Sequence, residues 1–537
     1  MIRLLLTCIT LNFLLVLPLW WRFGEVGSPL IAWEAWLVAP VMLFIRPGSL
    51  RRWLAILLVG WLALVSAANL GDAATHTAFG RSLNLYLDVP LVRSIYHLLV
   101  GNVGQLAATF LMLLGTVALL GSLWVMLRLL LPAKPLSVRS APGALAIFVM
   151  ITAAGFAVSE ANGKRLVAKS TLPAVNTTRF QWEQVVATHQ ARVAFTEQLQ
   201  DTPLEPRPLP GLLGRNVLLT FIESYGVSAI NDARYSNVVL PTLDDIQQRL
   251  GQRDLHAVSG LLEAPIRGGQ SWLAHATALS GRWIDNQLWY RLMLESDHST
   301  LISDFSSTGQ RTLSVMPAIT LAWPEGLAYG FDEIAAAKDL PYAGPPLNWV
   351  TMPDQFTLDY TQRHLLGEAP VFAQLALISS HAPWTPILPV FEDWSMIGDG
   401  RIFAPWEEAG DPPEVLWQDI ERIRDHYAWS IDYAVKVTGR WAERVVDDNT
   451  LLIVLGDHQA APLITGDNAS AAVPVHVISG DPQLLAPFKA RGFIDGMLPS
   501  LESPEEAAKM SQLRHWLQQD FGTPALTSSW STTGATP

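Results

Sequence analysis

HYAWSIDYAVKVTGRWAERVVDDNTLLIVLGDHQ, residues 426–459, decides how this chain folds. Residues 427–446 carry their apolar side chains at helical spacing. The polar turn Asp447-Asp448-Asn449-Thr450 follows, and residues 451–455 (LLIVL) then form an uninterrupted apolar run. A run that short, apolar on both faces and preceded by a helix, predicts a buried strand of a parallel sheet.

Working outward, residues 216–223 (NVLLTFIE) and 371–379 (VFAQLALIS) have the same character, and residues 473–478 (VPVHVI) form a fourth such run. Leu240-Pro241-Thr242 opens a helical stretch over 243–250. Strands alternating with helices imply an α/β fold, a mostly parallel sheet sandwiched by helices. In such sheets, sites form beyond the carboxyl ends of the strands.

Those ends hold Glu223-Ser224-Tyr225-Gly226, Ser380-His381-Ala382-Pro383-Trp384 and Gly456-Asp457-His458-Gln459. Between the first two strands lies Gly268-Gly269-Gln270-Ser271-Trp272-Leu273-Ala274-His275. Glu223, Asp457 and His458 supply two hard oxygen donors and an imidazole, a set that suits Zn or Mn with one position open. Ser271 follows two glycines and opens a helix over 271–279, where the helix terminus favours an anion. A serine hydroxyl needs activation to attack at neutral pH, and a divalent ion supplies it. His381 would donate to a phosphoryl oxygen or to the leaving group. Each residue also has a plain reading: Glu223 a solvated strand end, Ser271 an N-cap, His381 a turn residue. His275 and His476 read as structural.

The front of the chain is different. Half of the 537 residues are hydrophobic and only 16% are charged, and the net charge is -12. That balance argues against broad nucleic-acid binding. A single cysteine, Cys8, excludes an intrachain disulfide and a thiolate metal cluster. Long apolar stretches occupy residues 2–21, 29–45, 53–70, 103–131 and 144–158. About 20 helical residues cross a bilayer, so these predict five transmembrane helices, the second and fifth being short. Arg46, Arg51 and Arg52, then Arg128, Lys134 and Arg139, place two basic loops inside with Arg3. Five crossings then put the rest of the chain outside the cytoplasm. Glu34, early in the second stretch, reads as snorkelling or as a functional carboxylate. The expected division is a transmembrane region over 1–160 and a juxtamembrane helix with a Pro-rich spacer (202–210) over 161–213. A catalytic domain over 214–522 and a flexible tail over 523–537 complete it.

Taken together, these segments resemble the alkaline-phosphatase superfamily in its sulfatase-like branch, most of all lipoteichoic acid synthase and related membrane phosphoglycerol transferases. The likeness covers roughly residues 216–480. NVLLTFIESYG is similar to the family's first strand with its metal-binding Glu, and LPTLDDIQQRL to the helix that follows. GGQSWLAHATALSG resembles the nucleophile segment, with Ser271 where the synthases have Thr. ISSHAPW is similar to the substrate-contacting His segment, and 426–459 to the helix, Asp-Asn-Thr, strand and Asp-His order of the branch. Gln459 departs from the Gly usual after Asp-His. Ser271 lacks the x-Pro-x-Arg that sulfatases need, which disfavours sulfatase chemistry.

The resemblance implies a multi-pass inner or plasma membrane enzyme holding one divalent ion on Glu223, Ser271, Asp457 and His458. Its donor would be a membrane lipid at the bilayer and its acceptor a glycan or glycolipid. His381, Arg267 and Trp384 would contact the substrate, Arg267 through its phosphate. Trp272, Trp283, Trp289, Trp323, Trp349, Trp384 and Trp394 crowd this region, either as core packing or as an aromatic wall. Hydrolysis at the same site, as by a phosphodiesterase, phosphatase or sulfatase, and a non-catalytic scaffold are the alternatives.

Overall fold

A computed structural model describes the chain except for residues 1, 90–99, 101–103, 132–133, 202–205, 322 and 523–537. The start of the fourth apolar stretch, half of the Pro-rich spacer and the expected tail lie outside the described residues. The chain divides into two compact units, Met1–Ala194 and Phe195–Pro537.

Among the described residues the longer helices of the first unit are α1 (Ile2–Phe23), α2 (Trp33–Phe44), α3 (Ser49–Phe79), α4 (Gln105–Leu130) and α5 (Ala141–Ala161). Helix α6 (Pro173–Asp201) runs on into the second unit. Among the described residues, α1, α3, α4 and α5 are long and apolar enough to cross a membrane. α2 has 12 residues, about 18 Å, and does not span alone. The second apolar stretch is helical only in part because the chain returns from α1 in extended form. Asn12 of α1 holds that return, donating to the Leu30 carbonyl and accepting from the Ala32 amide, both at 2.8 Å. Leu4, Cys8, Leu11 and Leu15, at helical spacing on α1, pack with Ala35 and Ala39 of α2 and Val59 and Leu62 of α3. Glu34 does not snorkel. It is buried, and its Oε1 accepts the Val175 amide at 3.2 Å, occupying one of the open N–H groups that begin α6.

The second unit contains a sheet of nine strands. These are β1 (Asn216–Ile222), β2 (His256–Glu263), β3 (Arg311–Met316), β4 (Glu333–Ala336), β5 (Val371–Leu377), β6 (Thr450–Gly456), β7 (Ala472–Ser479), β8 (Ile494–Asp495) and β9 (Ala508–Lys509). Their order is β8-β2-β7-β6-β1-β5-β3-β4, with β9 beside β2. From β6 to β4 the pairing is parallel. The sheet as a whole is mixed: β9 is parallel to β2, but β7 is antiparallel to β6 and to β2, and β8 to β2. The physical reason lies in the β6–β7 connection. It holds only a one-turn helix, Pro462–Thr465, so the chain folds back where a parallel neighbour would need a full crossover.

β1 shows why the central strands read as unbroken apolar runs. Leu218 and Ile222 face one core, against Val239, Leu243 and Ile246 of α7 (Ala233–Gly251) and residues of α9 (Ile420–Val445). Val217, Leu219 and Phe221 face the other, with Leu273 and Ala274 of α8 (Ser271–Ser280) and Leu513 and Leu517 of α10 (Gln512–Phe521). Both faces are covered, so neither can be polar.

Two boundaries move from expectation. α7 starts at Ala233, capped by the Asp232 side chain on the Arg234 amide at 2.9 Å, and Pro241 sits inside it. The compact second unit reaches back to Phe195, ahead of residue 214. Leu209 is fully buried with its amide donated to Thr308 Oγ1, so the described part of the Pro-rich stretch lies against the domain.

Candidate metal and nucleophile site

Register brings the site together. Ile222, the last residue of β1, pairs with Leu377 of β5 on one side and Gly456 of β6 on the other. Glu223, Ile378 and Asp457 therefore leave the sheet side by side. Gly456 permits this close approach, since a Cβ there would lie 1.9 Å from the Tyr225 carbonyl oxygen. The three site loops also hold left-handed residues other than glycine, Ser224, Gln270 and Trp384, with φ of 58°, 66° and 59°. Such conformations persist only where surroundings impose them.

Glu223, Asp457 and His458 are buried, and one ligand atom from each lies within 4.8 Å of the others. His458 Nε2 is 3.2 Å from Glu223 Oε1. His458 Nδ1 faces the Gln459 carbonyl at 3.0 Å, and an Nδ1–H donating there leaves Nε2 as the free lone pair. Asp457 Oδ1 accepts the Ser224 and His458 amides at 2.8 and 2.6 Å.

Ser271 is not an N-cap. It is the first residue of α8, and Gln270 holds the cap position without a side-chain bond. Its Oγ donates to Glu223 Oε2 at 2.8 Å and lies 3.3 Å from His458 Nε2. The glycine loop ahead of it is tied to β6, for the Gly268 amide donates to the Gln459 carbonyl at 2.9 Å and Arg267 bridges Gln459. Gln459 fits because Gly226 opposes it: a Cβ on Gly226 would lie 1.8 Å from Gln459 Oε1. The Gln459 side-chain Nε2 donates to Ser228 Oγ at 2.8 Å.

The electrostatics call for a cation. Burial would push the His458 imidazole down, but the Asp457 and Glu223 carboxylates outweigh it and raise it to about 9. Burial and the neighbouring Glu223 charge drive Asp457 well above the usual carboxylate range. Burial would also raise Glu223, yet His458 outweighs it and holds the carboxyl well below its ordinary value. Two buried carboxylates that compete for one positive partner, an imidazole with its Nε2 turned to Glu223 and Ser271, and a hydroxyl within reach fit a divalent ion.

The other expected residues are placed as follows. His381 is exposed, with Nδ1 2.5 Å from the Ala382 carbonyl, and its charge is among those lowering Glu223. Arg267 is half-buried, its Nη1 3.3 Å from the Asp467 carbonyl. Trp384 is buried: its indole N–H donates to the Ser380 carbonyl at 2.8 Å and its ring stacks on Trp417, so it shapes the His381 loop from beneath. Of the other crowded tryptophans, Trp394 is buried and Trp289 stacks on Phe195, whereas Trp349 is 40% exposed with its ring 6.3 Å from His381. Asn348 donates to the Thr385 carbonyl at 2.7 Å and so ties the Trp349 loop to the His381 loop. His275 is buried against Phe221, consistent with the structural reading, and His476 sits between Tyr225 and Ser259.

Sequence reading missed the supports beneath the site. Asp354 Oδ1 accepts the Ile378 and Ser379 amides at 2.8 and 3.0 Å, Ser380 Oγ donates to the Glu223 carbonyl at 2.6 Å, and Tyr427 donates to the Ser224 carbonyl at 3.0 Å. Each binds a backbone group far along the chain, which leaves no local spacing to read.

The class of site is thus a three-donor metal cradle with an adjacent serine at the strand ends of an α/β domain. No protein-family pattern matches the sequence, and no curated protein matches it. Among solved structures the chain is similar to the lipoteichoic acid synthase LtaP from Listeria monocytogenes (12% identity, 62% of this chain and 78% of that one, TM-score 0.38). It is similar to the C-terminal periplasmic domain of EcEptC from Escherichia coli in complex with Zn (13%, 60% and 87%, 0.39). It is also similar to the integral membrane lipooligosaccharide phosphoethanolamine transferase A from Neisseria meningitidis (11%, 96% and 94%, 0.48).

Proposed function

We propose that the chain is a membrane phosphotransferase of the alkaline-phosphatase superfamily. It would move a phosphoglycerol or phosphoethanolamine group from a phospholipid to a glycan or glycolipid through a phospho-Ser271 intermediate. The observation that carries this reading is the convergence of Ser271 Oγ with Glu223 and His458, at 2.8 and 3.3 Å, beside buried Asp457.

Glu223, Asp457, His458 and Ser271 would hold one Mn or Zn ion. When bound, that ion lowers the pKa of the serine hydroxyl and offsets charge on phosphoryl oxygens. Ser271 Oγ attacks phosphorus as the bond to the diacylglycerol oxygen breaks. Glu223 Oε2, which already accepts the Ser271 hydroxyl, orients it for attack, and the serine proton passes to solvent. His381, exposed at the mouth, protonates the departing diacylglycerol and then takes the proton of the acceptor hydroxyl. Arg267 pairs with the substrate phosphate, and Trp384 supports the His381 loop.

We read the membrane unit as five passes, with the extended return and α2 forming the second, and the catalytic domain as extracytoplasmic. Support comes from the ends of the helices. Arg3, Arg46, Arg51, Arg52, Arg128, Lys134 and Arg139 lie at or beyond the ends of α1, α2, α3, α4 and α5, and the connections 45–48 and 131–140 carry no acidic residue.

Incubating the purified chain with headgroup-labelled phosphatidylglycerol or phosphatidylethanolamine and digesting it for mass spectrometry tests the reading. A labelled phosphodiester on the Ser271 peptide is expected, with release of diacylglycerol. An unlabelled Ser271 in a metal-loaded chain that still turns over donor refutes the intermediate. Product carrying the group on water alone assigns hydrolysis.

A further inference from the structure

We propose that the cleft between the start of α3 and the end of α4 binds the phosphate group of an anionic phospholipid. This rests on the membrane reading of the first unit and not on the catalytic one. The cleft has a volume of about 440 Å³ and is lined by Pro47, Gly48, Arg51, Arg52, Trp124, Leu127, Arg128 and Leu131.

Three arginines, Arg51, Arg52 and Arg128, line the cleft, with no carboxylate among the lining residues. Arginine forks match phosphate oxygens in pairs. Arg51 is 5% exposed, with Nη1 3.3 Å from the Ile45 carbonyl, whereas Arg52 and Arg128 are exposed. Arg128 is held in place, its guanidinium 5.0 Å from the Trp124 ring centroid. The backbone adds to the field: the 31-residue α3 begins at Ser49 with no side-chain cap, so its first amides end at the cleft.

The remaining wall explains why the ligand is a lipid and not a soluble phosphate. Trp124, Leu127 and Leu131 continue the cleft along α4. That helix buries only 6% of its apolar window, against 39% for α1 and for α3, so a nearly bare apolar face runs up from the arginines. A charged floor leading onto an apolar face suits a headgroup with acyl chains attached, and basic pockets between membrane helices take such headgroups. The positive-inside rule alone requires basic loops but no cleft. Arg46 is the internal control, being basic, exposed and at the same end of the helices but outside the lining.

The test uses the delipidated full-length protein in detergent, with dioleoyl phosphatidic acid as the probe, because it has no headgroup for the proposed transfer reaction. Native mass spectrometry should show one phosphatidic acid retained under activation that strips phosphatidylcholine. Retention should fall roughly tenfold or more in R52Q/R128Q and stay unchanged in R46Q and S271A. The conservative R52K/R128K variant, with charge but no fork, should fall in between. Equal retention by R52Q/R128Q and wild type, or equal loss in R46Q, overturns the proposal. Millimolar inorganic phosphate that displaces the lipid completely also overturns it, assigning a soluble-anion site instead.

Discussion

Replacing Glu223 by Gln removes one of the two carboxylates of the cradle while keeping its shape and a hydrogen-bond partner for Ser271. The two carboxylates offer oxygens no more than 4.8 Å apart, so two full charges there repel by about 3.5 kcal/mol at an effective dielectric of ~20. A divalent ion turns that repulsion into attraction, and E223Q forfeits its share. Loss of an outer partner to a metal ligand already costs 10–100-fold in affinity, so loss of a ligand should cost about 100-fold or more. With metal at 100 times the wild-type Kd, binding stabilises wild type by about 2.7 kcal/mol. A Kd raised 100-fold leaves about 0.4 kcal/mol by the same relation. The assay is thermal unfolding of the chelator-stripped full chain across a Mn or Zn titration, by tryptophan fluorescence. A metal-dependent rise in Tm should be clear in wild type and almost absent in E223Q. An equal rise in both would falsify the cradle.

Other expectations follow from the same geometry. S271A should abolish turnover and the covalent adduct while the metal-dependent rise in Tm persists in reduced form; retained turnover argues for another nucleophile. Burial raises the Asp354 carboxyl to about 6, above its unfolded value, so its ionisation opposes folding. The Asp354 contribution to stability should therefore be greatest below pH ~4, fall as pH rises to ~6, and level off at a cost of about 3 kcal/mol. D354N should flatten that slope in thermal scans from pH 4 to 8, and a slope that persists assigns it to another group. Arg514 and Asp304, 4% and 0% exposed, form a buried pair with Nε–Oδ2 of 2.8 Å and Nη2–Oδ1 of 3.0 Å. D304N should cost about 3–5 kcal/mol, and D304L/R514M much less than the two single changes summed, which a double-mutant cycle measures. G226A should lower Tm and metal affinity together, because its Cβ would fall 2.7 Å from the Gln459 Cα as well as on its side chain; an unaffected G226A means the turn has room that the structure denies.

What the sequence revealed depends on how far each signal reaches along the chain. β1, β5 and β6 are apolar on both faces and bounded by polar turns, so they were legible, and with them Glu223, His381, Asp457 and His458. Gly268-Gly269 before a helix marked Ser271. β2 was not legible, since Ser259 and Gly260 interrupt it; Ser259 bonds to Gly496 and His476, both remote. β3 alternates polar residues, yet its Thr312 is buried against Asp332. The sense of β7 depends on the geometry of the connection before it, and composition does not encode that. Glu34 looked like an anomaly because its partner, the Val175 amide, is 141 positions away.

The same remoteness has a consequence for biogenesis. Ser224 and Asp457 are joined by a hydrogen bond across 233 positions, and the strands bearing them are immediate neighbours in the sheet. During synthesis the first half of the cradle must wait for a further 233 positions of chain before its counterpart leaves the ribosome. A polypeptide that stops short of residue 457 carries Glu223 and Ser271 without the other two donors of the candidate site, so the proposed chemistry has to await the later strand.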